Sequence, residues 1–407
     1  MTDKSKMTLI ISVAVLLLIF CLIKCAGGGS GDPIHVLPQN SAPKSSDEAL
    51  SSVNVFIEDG GSMDGYVNGQ TSFKDGIYDF LSKINNKYRP QLSLNYVNSK
   101  VVPQQGTLEQ YIRNLTPEAF KNAGGERKTS DIADFLDLVL QHTNNGNVSI
   151  LVSDFILSPG RVDAAKYQNQ QQTKIMNTVV NYKRNHPQFS IVVLQLYSDF
   201  DGDFFNKYDH KDAVSGKRPY YMWIIGDRNK VAKVLACGYP ESDKPIHVFA
   251  ALPSSGVLRY VVADKFGKNK NTIENVSGFY NFQLKVDCKP LLLDSAYLTD
   301  VKNYEIDDNN YKMEGVKVLK GDPDFTYALA LSTQKPRSIS GGAPLSVKLN
   351  VKKPAWIDEV NDEDGSDIKK KGAMDKTFGI KYILSGVYEA FYPNGDEKLV
   401  EYKLKIK

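Results

Sequence analysis

The chain has 407 residues, more than one ordinary domain holds, so two folded units are expected. Hydrophobic residues make up 42% and charged residues 24%, a globular composition that excludes wholesale disorder. Lys and Arg number 50 against 47 Asp and Glu, and the net charge of +3 gives no sign of an electrostatic nucleic-acid binder.

The N-terminus sets the expected compartment. After MTDKSK comes an unbroken apolar run from Met7 to Ile23, then Lys24. At about 17 residues it sits at the lower limit for a membrane-spanning helix. A cleaved signal peptide would need small residues before the cut, and CLIKCAGGGSG has no A-x-A pattern. A lipoprotein signal would need a small residue before its cysteine, but Cys21 follows Phe20 and Cys25 follows Lys24. Residues 1–24 are therefore read as a cytoplasmic stub and a transmembrane signal anchor, with Lys4 and Lys6 kept inside. Single-pass placement in the cell inner membrane is expected, with the body on the extracytoplasmic, periplasmic side. Residues 25–51, rich in Gly, Pro and Ser, read as a flexible tether. Cys237 and Cys288 are the cysteines left in the body; they are too few for a disulfide framework, and pairing stays open.

From 52 to 240, strand and helix patterns alternate. VNVFI (53–57) is a short apolar run suited to a strand covered on both faces, and Phe73, Ile77, Phe80, Leu81 and Ile84 follow at helical spacing. LSLNYV (92–97) is a second strand and TLEQYIRNL a short helix. Ile132, Phe135, Leu136, Val139 and Leu140 form a clean helical stripe ahead of the buried strand VSILVSD (148–154). A helix through Ile175, Val179 and Tyr182 precedes the strand SIVVLQLY, and YYMWIIGD with the helical RNKVAKVL ends the series. The expectation is an α/β fold with a doubly wound, mostly parallel sheet, whose ligands bind beyond the carboxyl ends of the strands. From 241 to 407 the runs alternate in polarity, as in LSVKLNVK, and YPNGDE reads as a hairpin turn. An antiparallel β-sandwich domain is expected there.

One loop carries the functional reading. VFIEDGGSMDGYV (55–67) leaves the first strand with two acids, glycines, a serine and a methionine. It resembles the first motif of the von Willebrand factor type A domain, Asp-x-Ser-Gly-Ser-Met, whose oxygens bind a divalent metal in a metal-ion-dependent adhesion site. The resemblance covers roughly residues 52–240. It places Ser62 at the second serine, Gly60 at the first, Glu58 at the leading Asp and Asp59 at the unspecified position. SDIADFL (130–136) matches the second motif, with Ser130, or Thr129 after a one-residue shift, at the hydroxyl position. Asp154 in ILVSDF stands at the third. The resemblance thus implies a Mg²⁺ or Ca²⁺ site of Glu58, Ser62, Ser130 or Thr129, and Asp154, open to an acidic group on a partner protein. Such hard cations take carboxylate, hydroxyl and water oxygens, so water suits the place of the hydroxyl missing at Gly60. Ser130 or Thr129 also reads as a plain helix cap.

The resulting expectation is a membrane-tethered envelope protein that binds a protein partner, with or without metal, rather than an enzyme. Two alternatives stay open: a metal-free scaffold with a decayed site, and a metal-dependent phosphate or sulfate ester hydrolase built on Glu58, Asp59 and Asp154. Against catalysis stand the lack of Asp-x-Asp after strand one, of G-x-S-x-G, of a phosphate loop and of C-x-x-C, and five scattered histidines. The clusters Asp199, Asp201, Asp203 and Asp362, Asp364, Asp367 read as solvated acidic turns, with Phe204 and Phe205 packed at the domain junction.

Overall fold

A computed structural model describes residues 31–42, 49–127, 131–144, 146–160, 162–253, 258–293, 295–336, 344–395 and 398–407. The expected anchor, 1–24, lies outside them, as do Thr129 and Ser130. Among the described residues no helix is long and apolar enough to cross a membrane.

The first strand, β1 (Ile34–Pro38), falls inside the stretch read as tether. Then come β2 (Ser52–Glu58), β3 (Gln91–Val97), β4 (Val101–Pro103), β5 (Asn147–Ser153), β6 (Phe189–Phe205), β7 (Lys211–Asp227) and β8 (His247–Ala251). Seven of these form one sheet, in the order β4-β3-β2-β5-β7-β6-β8. β2 and β5 are its middle, and every residue of β5 is buried, as its unbroken apolar sequence requires. Each fully buried Val, Ile or Phe there contributes roughly 1.5–3 kcal/mol.

The expected doubly wound parallel sheet is not formed. β2 runs parallel to β3 and β5, but β3–β4, β5–β7, β7–β6 and β6–β8 are antiparallel. The cause is one long hairpin. β6 and β7 are 17 residues each and pair along their whole length, from Phe189↔Asp227 to Phe205↔Lys211. A tight turn joins them, so YYMWIIGD returns beside its predecessor with no crossover helix. In that turn Asn206 Oδ1 accepts from the amides of Tyr208 (2.9 Å) and His210 (3.1 Å), and Asp209 takes a left-handed φ of 60°. The inner half of β6 is buried throughout, whereas its outer half, from Asp199, alternates and projects beyond the sheet.

The helices follow their apolar stripes. Ser72–Tyr88 buries Phe73, Ile77, Phe80, Leu81 and Ile84. Ile132–Gln141 is capped by Asp131, whose carboxylate accepts from the amides of Ala133 (3.2 Å) and Asp134 (3.4 Å).

The remaining strands are β9 (Tyr260–Asp264), β10 (Thr272–Ile273), β11 (Asn275–Val276), β12 (Phe279–Val286), β13 (Tyr304–Ile306), β14 (Tyr311–Val318), β15 (Tyr327–Thr333), β16 (Leu345–Asn350), β17 (Asn361–Asp362), β18 (Thr377–Phe378) and β19 (Lys398–Ile406). They build two antiparallel sheets, β10-β1-β19-β16-β13 and β11-β12-β15-β14 with β9 on β12, and β17–β18 form a short parallel pair. Tyr260 ties the two sheets together: its hydroxyl donates to the Lys403 carbonyl (2.6 Å), and its ring meets Tyr402 at 5.2 Å.

This half is not a plain β-sandwich. After β16 the chain returns to the first sheet, and the helix Ile380–Phe391 packs on the helix Ala164–Asn185. Gly386 makes the contact close, because a Cβ there would stand 2.6 Å from the Gln172 carbonyl oxygen. Gln172 and Glu389 (2.7 Å) and Lys183 and the Ala390 carbonyl (2.7 Å) complete it. The Asn394-Gly395 pair, expected in a hairpin, instead follows this helix. Overall the chain is a mixed α/β protein with several antiparallel sheets. Cys237 and Cys288 are both free thiols, and burial pushes Cys288 up to about 12.

Candidate functional site

The carboxyl ends of β2 and β5 lie side by side, with Ile57 opposite Val152, so Glu58-Asp59 and Ser153-Asp154 leave the sheet together. This is where an open α/β sheet presents its loops to ligands. Glu58 is buried and turned toward the neighbouring strand, where its Oε2 accepts from the Ser153 hydroxyl. Ser153 Oγ in turn accepts from the amide of Phe155 (2.8 Å), a residue held at a left-handed φ of 51°.

Beyond Asp59 the chain forms a short 3₁₀ turn, Gly61–Tyr66, pressed under the outer half of the β6–β7 hairpin. Gly65 makes this possible: a Cβ there would come within 2.5 Å of the Phe200 ring. Tyr66 packs edge-on to Phe200 at 4.9 Å, and its hydroxyl donates to the Pro219 carbonyl (2.5 Å). Arg127 straps the loop from the other side. Its Nε donates to the Asp59 carbonyl (2.6 Å), and its Nη2 to the Gly60 carbonyl (3.3 Å) and to Asp64 Oδ1 (2.6 Å).

Two carboxylates are left in unusual surroundings. Asp59 is fully buried, and neither side-chain oxygen has a well-formed hydrogen-bond partner. Burial raises its pKa to about 6, against the pull of Asn98 and of the Arg127 charge. Asp154 is 2% exposed. Its Oδ1 accepts from the Ile156 amide (3.3 Å), and its Oδ2 has no such partner. Burial raises its pKa too, opposed by the Arg218 charge, the Ile156 amide and the Ser62 side chain.

Arg218 is the residue that sequence reasoning missed. It is 1% exposed, and none of its three guanidinium nitrogens makes a well-formed hydrogen bond, although the Tyr66 hydroxyl lies close by. It lies over the Phe204 ring at 4.7 Å and the Phe200 ring at 5.5 Å, contacts that favour a cation on an aromatic face. The only sequence signal is a lone Arg before YYMWIIGD, and its meaning depends on the hairpin register that sets Arg218 against Ser198.

Above these groups opens a cleft of about 860 Å³, floored by Ser62 and Ile156. Both signs of charge ring it: Lys121, Arg127 and Lys211 against Asp64, Glu126, Asp201, Asp203 and Asp209. Phe205 lines its wall, and Phe204 is buried over Arg218.

The expected metal ligands are thus partly gathered. Ser62 and Asp154 come together, and Glu58 lies one strand away, bonded to Ser153. Among the described residues no group of three His, Cys, Asp or Glu could hold a metal ion, so a cation here would depend on hydroxyl and water oxygens. The orphaned Asp154 Oδ2 suits such an ion, whereas the buried Arg218 charge that already acts on Asp154 opposes one. As for the exposed acids, Asp199 pairs with Lys217 (2.6 Å) and Asp364 with Lys207 (3.0 Å). No protein-family model, no functionally curated protein and no solved structure matches this chain.

Proposed function

We propose that this chain is a membrane-tethered binding protein that holds a protein partner in the cleft beyond β2 and β5. The observation that carries this reading is the cleft itself: a space of about 860 Å³, ringed by both charge signs, at the carboxyl ends of the parallel strands. Mixed charge suits a polar protein surface, where complementary pairs set orientation and encounter rate. The apolar run Met7–Ile23 supports the tethering, which would confine the search for a partner to the membrane zone.

The metal-free form of this reading is the one the side chains favour. Arg218 supplies a positive charge to Asp154 from inside the protein, and Glu58 spends one oxygen on Ser153. If a divalent ion does enter, Asp154, Ser62 and water would hold it, and its vacant position would take an acidic group of the partner.

A photo-crosslinking side chain at Ser158 or Lys211, in the full chain in its membrane, tests the reading. A discrete adduct from these cleft positions, absent from the same probe at exposed Val318, is the expected result. Equal labelling at all three positions would defeat the proposal. Adding a chelator separates the two forms: an unchanged adduct fits the metal-free form, and a lost adduct restores the metal. Calorimetric titration with Mg²⁺, Ca²⁺ and Mn²⁺, alongside Asp154→Ala, checks the same point directly.

A further inference from the structure

Among the described residues Phe266 is the most exposed large hydrophobic, at 84%. It sits at the tip of the hairpin that joins β9 to the strand segment after it. The tip is firmly built: Asp264 Oδ1 accepts from the amides of Phe266 (2.9 Å) and Lys268 (3.0 Å), and Gln283 Nε2 donates to the Lys265 carbonyl (2.9 Å). One exposed ring is ordinary, but a ring held out by a fixed turn beside further exposed apolar side chains makes a patch that suits an apolar surface.

The neighbouring turn presents more of the same. β9 pairs with β12 so that Asp264 faces Phe282, which brings the Phe266 tip and the β11–β12 turn to one end of the sheet. That turn exposes Val276 (42%) and Phe279 (41%). Around the tip stand Lys265, Lys268 and Lys270, all exposed. Lys270 is paired with Glu274 (3.0 Å), and the Asp264 carboxylate is taken up by the tip's own amides.

The chain also enters the body at this end. Tyr280 donates to the Asp32 carbonyl (2.9 Å), and a Cβ on Gly31 would stand 2.7 Å from the Tyr280 hydroxyl. Between Ile23, the last residue of the apolar run, and Gly31 lie Lys24 to Ser30. Fully extended, that connection spans at most about 28 Å.

We propose that this end of the body is a second membrane contact, in which Phe266, with Val276 and Phe279 beside it, enters the headgroup region of an anionic bilayer. Lys265 and Lys268 lie over the lipid phosphates. Aromatic rings favour that depth, and basic side chains are drawn to the negative surface within a Debye length. The proposal rests on the anchored reading of Met7–Ile23, and it goes further by fixing which face of the body meets the lipid.

The test uses the full chain carrying Phe266→Trp, reconstituted into vesicles of phosphatidylcholine and phosphatidylglycerol with or without brominated acyl chains. Bromine quenches an indole at the headgroup boundary. The unmodified chain, whose Trp223 is fully buried and Trp356 half-buried, gives the reference. The expected result is a loss of the introduced indole's fluorescence in brominated vesicles, reduced by Lys265→Glu with Lys268→Glu and reduced again when phosphatidylglycerol is omitted. An embedded chain whose introduced indole is unquenched overturns the tip contact while leaving the anchor intact. Quenching indifferent to both charge changes overturns the anionic requirement. A chain washed off the vesicles by alkali, its indole unquenched, overturns anchor and tip together.

Discussion

The aspartates at the strand ends and those on the acidic turns share a side chain and shift in opposite directions. Asp59 and Asp154 lie beneath the cleft, where loss of water raises both pKa values. Asp199 and Asp364 stand in solvent, where the Lys217 ammonium lowers the first, and Lys370, Ser366 and Lys207 hold the second well below the usual carboxylate range. The lesson is about environment. A surface lysine a hydrogen bond away costs little to hold, but Arg127 and Arg218 do not fully offset the desolvation of the strand-end acids. Charge is cheap on the turns and expensive under the cleft, a placement that fits the binding role proposed for it.

The largest loss is expected at Arg218. Replacing it with Ala removes the buried positive charge that acts on Asp154 and opens a hole beside Phe200 and Phe204. The expected loss is about 2–3 kcal/mol in urea unfolding, chiefly from the lost ring packing, partly recovered by adding Asp154→Asn. An unchanged midpoint would mean that the guanidinium does nothing for the buried acid.

Asp59→Asn goes the other way. The folded carboxyl titrates near 6 against 3.8 for the ordinary group, so between those values the folded chain keeps a proton that the unfolded chain has lost. Stability from this group is therefore greatest below about pH 4 and falls as pH rises through about 6. The substitution should add up to about 3 kcal/mol at pH 8 and flatten the acid side of a stability–pH curve. Equal slopes for both proteins would refute the burial argument.

Gly65→Ala is expected to cost about 1–3 kcal/mol by driving a methyl group into the Phe200 ring, and differential denaturant melts would show it. Smallest is Asp364→Asn. Its depressed pKa means a contribution present above the ordinary carboxylate value and lost as pH falls, but exposure and salt screening limit it to less than about 1 kcal/mol. A larger loss there would erase the contrast between turn and cleft.

Part of the ground beneath the cleft was legible because strand ends are. VNVFI and VSILVSD are short, unbroken apolar runs, and such runs become central strands whose exits gather ligating loops, so Glu58, Ser62 and Asp154 could be placed on neighbouring exits. Their directions were not legible. Nothing in IEDGG says that Glu58 turns toward Ser153 or that Asp59 is buried, because both depend on what lies across the loop.

The sheet's polarity failed for a similar reason. SIVVLQLYSDFDGDFF changes midway from a two-sided to a one-sided pattern, and its turn, NKYDH, lacks the glycine that marks most tight hairpins, with Asp209 taking the left-handed role. Ile380, Ile383, Leu384, Val387 and Phe391 did repeat at helical spacing, but they lie among strands. β1 was hidden by composition, five residues in a stretch rich in Gly, Pro and Ser.

That hidden strand has a consequence for biosynthesis. β1 lies inside its sheet, with β10 on one side and β19 on the other, and Val36 pairs with Ile406. A ribosome making this chain must run on to Ile273 before one side of β1 can be covered, and through Ile406 before the other is closed. Until then β1 offers an unpaired edge in the stretch that leads out from the membrane-type segment, a state open to mispairing with neighbouring chains. Closing so long a loop is slow for entropic reasons, so the second sheet is expected to be the last part of the nascent protein to become protease-resistant.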